Sequence, residues 1–131
     1  MKYKQTEFTG ELRDKIKNTE LILKDYIESL LDEYKSVFAM KNLEFDAGFD
    51  IEGNDPFMPG YSSTISLGIA DENEELIDIH IIRIWECERY LLGMATSKKV
   101  PGSKVIGELI DETFEDIKEE LKEYIDEFLA D

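Results

Sequence analysis

The stretch from Glu75 to Trp85, ELIDIHIIRIW, decides the fold. It is the most apolar part of the chain, and β-branched residues crowd it, which favours a strand over a helix. Ile77, Ile79, Ile81 and Trp85 alternate onto one side, interrupted by Arg83. Leu76, Ile82 and Ile84 fall on the other, beside Asp78 and His80. Apolar groups on both faces predict a central strand of a sheet.

Working outward, LEFDAGFDI from Leu43 alternates Leu43, Phe45, Ala47, Phe49 and Ile51 with small or acidic residues. That is the pattern of a strand with one apolar and one acidic face. STISLGIA, ending at Ala70, reads the same way through Ile65, Leu67 and Ile69. RYLLGMATS, from Arg89, reads as a fourth strand. The turns between them are polar and short, so the sheet is expected to be an antiparallel meander. Its solvent face is predicted to carry Glu44, Asp46 and Asp50 on one side and Ile82, Ile84 and Leu92 on the other. Asp78, His80 and Tyr90 would join them.

A helix is predicted on each side of this sheet in the sequence. From about Glu11 to Met40, apolar residues recur at three- and four-residue spacing, with Thr9 as N-cap and Glu11 favouring the dipole. Asn18-Thr19-Glu20 offers a capping point that would divide this helix. The apolar spacing passes through it, so an unbroken helix of roughly 45 Å is the expectation. Ser103 would cap a second helix, whose stripe starts at Ile106, Leu109 and Ile110 and continues to Phe128. The expected fold is therefore α+β, one domain over residues 1–131: helix, four-stranded antiparallel sheet, helix. Both helices are expected to pack on one sheet face.

Composition narrows the function. The net charge is −16 from 31 acidic and 15 basic residues. Binding to nucleic-acid phosphates or anionic lipid surfaces needs clustered cations that such a chain lacks, so neither is expected. One cysteine precludes an internal disulfide. No apolar run approaches the roughly 18 residues that cross a bilayer. The N-terminus has no secretory pattern, so a cytoplasmic location is expected.

The acidity is concentrated. From Glu108 to Asp131 there are eleven carboxylates and only Lys118 and Lys122. Asp126, Glu127 and Asp131 sit where a helix dipole disfavours anions. On a helix of about 36 Å this is about one carboxylate per 3.3 Å, close to phosphate spacing along one DNA strand. Two readings follow: a merely solvated face, or a face aimed at a basic protein, as in an immunity protein, a nuclease inhibitor or a nucleic-acid mimic. Under the second, partner-binding residues are Glu112, Glu115, Glu119, Glu123, Asp126 and Glu127. Phe57 and Tyr61 of the proline-bounded loop DPFMPGY would be aromatic anchors, unless Phe57 or Met58 folds back onto the core.

The competing reading is a small-molecule-binding protein or minor enzyme, with a pocket between sheet and helices near residues 55–61. His80, Asp78, Trp85 and Tyr90 would line it, and Asp46 or Asp50 would approach His80 across the sheet. One histidine without cysteine partners makes a poor metal site, so no metal or cofactor is expected. Asp50–Asn54 and Asp71–Glu75 faintly resemble calcium loops but lack the required Gly and Glu. Glu86 and Glu88 beside Cys87 oppose a thiolate. No catalytic constellation emerges, and a non-enzymatic interaction module is the reading adopted. A homodimer through the open sheet face is a third expectation.

Overall fold

The structure, a computed structural model, describes residues 1–130. In chain order it comprises β1 (Lys2–Lys4), a short 3-10 turn, α1 (Gly10–Ala39), β2 (Glu44–Glu52), β3 (Tyr61–Ala70), β4 (Leu76–Leu91), β5 (Met94–Ala95), β6 (Lys104–Leu109) and α2 (Phe114–Leu129). The α+β class stands. The sheet is antiparallel and has six strands rather than four, in the order β1-β6-β4-β3-β2, with β5 paired to β4.

The helix α1 is unbroken across Asn18 to Glu20. Thr9 caps it, its hydroxyl accepting from the Leu12 amide at 3.2 Å. Its buried positions run Leu12, Ile16, Glu20, Leu23, Ile27, Leu30 and Phe38. Glu20 therefore occupies a core position, where Tyr61 donates to its carboxylate at 2.7 Å.

Three departures share a physical origin in local alternation. The segment from Glu86 to Arg89 has no turn-forming residue, so the third and fourth expected strands fuse into the 16-residue β4. The chain turns only at Leu92 and Gly93, both at positive φ, as a two-residue hairpin requires. Within β4, the register against β3 shifts between Ser63 and Thr64. This bulge lets Ile84, Trp85 and Cys87 all be fully buried. The third departure is at Lys104–Leu109, which is a strand and not the start of a helix. Val105, Gly107 and Leu109 point inward by alternation, and the helical spacing of Ile106, Leu109 and Ile110 is incidental. The N-cap of α2, Thr113, lies ten residues after Ser103, in a capping box with Asp116.

The predicted faces of β4 are inverted. Register places Ile79 opposite Gly68 and Ile81 opposite Ser66, and these stand opposite Asp46 and Gly48. Ile77, Ile79 and Ile81 are exposed, whereas Ile82 and Ile84 are buried. The core is filled from α1 by Phe38 stacked on Phe45, with centroids 4.8 Å apart. The helix α2 reaches Asp78 through Tyr124. Phe45, Ile69 and Asp78 form one cross-strand row.

Candidate functional site

The helix α2 buries Ile117, Leu121, Tyr124 and Ile125, packs Phe128 and Leu129 against the core, and turns its acidic stripe outward. Glu112, just before the helix, and Glu115, Glu119, Glu123, Asp126 and Glu127 on it are all exposed. Steps of three and four residues place Glu115, Glu119, Glu123 and Glu127 in one stripe. Within this set, among the described residues, the only ion pair joins Glu115 to Lys118 at 3.9 Å. Lys118 also leans over the rings of Tyr26 and Phe114. The last turn carries no basic residue of its own; Lys41, from the end of α1, donates to the Leu129 carbonyl at 3.0 Å. The described helix is shorter than expected. It holds seven carboxylates over about 24 Å, so the density of about one per 3.4 Å persists over a shorter run.

Beneath this stripe lies a polar cluster between α2 and β4. His80 Nε2 lies 2.8 Å from Glu120 Oε2, and its ring is 4.9 Å from that of Tyr124. Tyr124 donates to Asp78 at 3.0 Å. Burial first, and then this carboxylate, raise the Tyr124 hydroxyl above the usual tyrosine range. Glu112 titrates above the usual carboxylate range, because it loses water and faces Glu120 and Asp116, with His80 acting against this. His80 thus meets Asp78's neighbour Tyr124 and Glu120, not Asp46 or Asp50, which point from the opposite face. Glu120 was not singled out from the sequence; its i+4 relation to Asp116 and Tyr124 gave no hint of a strand histidine below.

The aromatic loop folds inward. Phe57 is half-buried, stacked on Phe8 at 4.6 Å and under the Arg13 guanidinium at 4.6 Å. Arg13 also pairs with Asp55 at 3.0 Å. Tyr61 is buried against Glu20, which leaves it no surface to offer a partner. Met58 is the large side chain of this loop that remains exposed. Trp85 is fully buried and donates from Nε1 to the Pro56 carbonyl at 2.7 Å. The space near residues 55–61 is therefore filled. Asp78 and His80 come together, but Trp85 lies in the core and Tyr90 on the opposite sheet face, so the four alternative ligand residues form no single site. Cys87 is buried, and burial, then Glu88, push its thiol up to about 11.

A groove of about 770 Å³ lies instead on the open sheet face. Ile106, Tyr90 and Leu92 supply its apolar surface, and Lys2, Lys4 and Lys104 line it with Glu7, Glu86 and Glu108. Glu86 is paired to Arg83 at 2.6 Å. Sequence reading missed this groove because two of its strands, β1 and β6, were not recognised.

Among the described residues, no group of three or more His, Cys, Asp or Glu is arranged to hold a metal ion. No helix among them is long and apolar enough to cross a membrane. No known protein family, curated protein or solved structure matches this chain.

Proposed function

We propose that the protein is a non-enzymatic interaction module whose α2 stripe docks a basic protein, with neutralisation of a nuclease or toxin as the concrete version. In this arrangement both helices cover one sheet face, and α2 holds its acids on a rigid rod. The observation that carries the reading is the exposed, almost unpaired row Glu115, Glu119, Glu123 and Glu127, with Glu112 and Asp126 at its ends. Unpaired like charges on a helix destabilise it mildly and oppose its dipole. They also supply the field that steers a cationic partner and makes its capture salt-sensitive.

The test is affinity capture from the native lysate with wild type and with Glu115, Glu119, Glu123 and Glu127 changed to Gln, at low and moderate salt. A basic protein held by wild type, released by salt and lost by the variant supports the reading. Identical retention by both chains removes it. A second reading is favoured by the groove alone: a small amphipathic anion with an apolar body over Ile106 and Tyr90 and its charge toward Lys4 and Lys104. A thermal-shift screen of fatty and aryl carboxylates, repeated on Lys4→Ala and Lys104→Ala, tests it. No shift in wild type rejects that ligand class.

A further inference from the structure

The strand β4 (Leu76–Leu91) is paired unevenly on its two sides. The strand β3 covers it from Leu76 to Cys87, but β6 reaches only from Trp85 to Tyr90. From Leu76 to Arg83, no strand among the described residues pairs the second edge. Natural sheets blunt such edges with charge, proline or very short strands. The outer strands here obey that rule: β2 presents Glu44, Asp46, Asp50 and Glu52, and β1 is three residues with two lysines. The open part of β4 instead presents Ile77, Ile79 and Ile81, at 51%, 47% and 59% exposure.

The sequence of this edge is complementary to itself. Around Ile79 it reads Ile77-Asp78-Ile79-His80-Ile81. Laid antiparallel on a second copy with the two-fold at Ile79, Ile79 meets Ile79 and Ile77 meets Ile81. Asp78 then meets the second copy's His80. Opposed residues share a face, so the isoleucines of both copies merge into one stripe on the open side. The Asp–His pairs lie on the helix side, where His80 keeps its second ring nitrogen beyond the Glu120 contact. The two adjacent registers fail. Moving the axis to Asp78 sets that carboxylate against its own copy and His80 against Leu76. Moving it to His80 sets Asp78 against Ile82 and Ile77 against Arg83. From Asp78 to Arg83 the strand is regular against β3, so a strand can lie along it, with Ile77, at the register shift beside Ala70, forming the margin of the contact.

We propose that the chain forms an isologous dimer through this edge of β4, the two sheets joining across a two-fold axis at Ile79. Each copy carries −16, so association is opposed by long-range repulsion and strengthens as salt screens it. That is the opposite salt response from capture of a basic partner, and it separates the two proposals.

Sedimentation of the purified chain tests this across concentration and salt. The expected result is a monomer–dimer equilibrium that salt shifts toward dimer. Ile79→Lys, which sets two ammonium groups across the axis, raises the dissociation constant about tenfold or more with an unchanged circular dichroism spectrum. Met94→Lys, exposed but away from this edge, leaves it unchanged. Register is read by oxidising single variants Ile77→Cys, Ile79→Cys and Ile81→Cys, with Ile79→Cys expected to crosslink to itself fastest. A chain that stays monomeric at about 1 mM overturns the proposal and leaves the edge to a foreign strand. So does a dimer indifferent to Ile79→Lys, or one in which position 77 or 81 crosslinks to itself faster than position 79.

Discussion

The tightest backbone approach in the core predicts the largest single-site effect. Gly107 faces Cys87 across β4 and β6, and the ring of Trp85 lies directly over it. A Cβ built at Gly107 overlaps Cη2 and Cζ2 of the ring, with Cζ3 at 3.0 Å. Ordinary carbon contacts are about 3.5–4.0 Å, so the ring must retreat by more than about 1 Å. It has nowhere to go. Trp85 is fully buried, is flanked by Tyr3, Phe8 and Phe57, and is tethered by its bond to the Pro56 carbonyl. Overpacking of this kind costs about 1–3 kcal/mol, and breaking the buried indole bond adds a further ~1–3 kcal/mol. Gly107→Ala should therefore lose about 3 kcal/mol, or roughly 10 °C in Tm at this chain length. Gly107 has no left-handed φ, so the penalty is steric. The assay is guanidinium unfolding followed by far-UV circular dichroism, with fluorescence of Trp85, the single tryptophan, as a second probe. In a Trp85→Leu background the same change should cost almost nothing. A loss below about 1 kcal/mol in wild type, or full additivity with Trp85→Leu, refutes the account.

Other perturbations act on buried and surface charge. Tyr61→Phe strands the buried Glu20 carboxylate without its donor and should cost about 1–3 kcal/mol in urea unfolding, whereas Tyr61→Phe with Glu20→Leu should be the more stable of the two. Glu112 holds its proton more tightly folded than unfolded, so it contributes stability below its ordinary pKa that is lost as pH rises through the raised folded value. Glu112→Gln should therefore match wild type near pH 4 and exceed it at pH 7; an equal gain at both would exclude the cause given. Asp126→Lys with Glu127→Lys places cations at the C-terminal end of α2 and should raise stability by about 0.5–1 kcal/mol while abolishing capture of a basic partner. A destabilised variant, or one that still binds, counts against the functional reading.

What the sequence revealed was whatever had a single, uninterrupted period. The run from Leu12 to Phe38 keeps helical spacing throughout and lies in one 30-residue helix, Gly10–Ala39. The alternation from Phe45 and from Ile65 gives β2 and β3 with the correct inner faces. The failures lie where the period is short or broken. Three residues at β1 and six at β6 give too few repeats, and Gly107 removes the side chain that would mark the inward position. In β4 the bulge near Ile84 changes parity, so Trp85 is a false guide to the face of Ile77, Ile79 and Ile81. Of the candidate site, the acidic stripe was legible because exposure of carboxylates is set locally by the helix. Tyr61 was misread because its partner, Glu20, is 41 residues away and looks in sequence like any surface acid.

The placement of the two surfaces links them physically. Asp78 and His80, nearest the dimer axis inferred on β4, are the residues that α2 touches through Tyr124 and Glu120. A two-fold at Ile79 therefore brings the two α2 helices toward the same axis, each with seven carboxylates. That crowding opposes dimerisation in low salt by like-charge repulsion. A cation that spans both helices relieves it, so a bound basic protein and a second copy of the chain would each favour the other by the same factor. The coupling has a definite sign, and it would give the acid-rich helix a role beyond solubility. Changing Glu115, Glu119, Glu123 and Glu127 to Gln should tighten the bare dimer even as it removes the basic partner. A merely wet face distant from the axis would leave dimerisation unmoved.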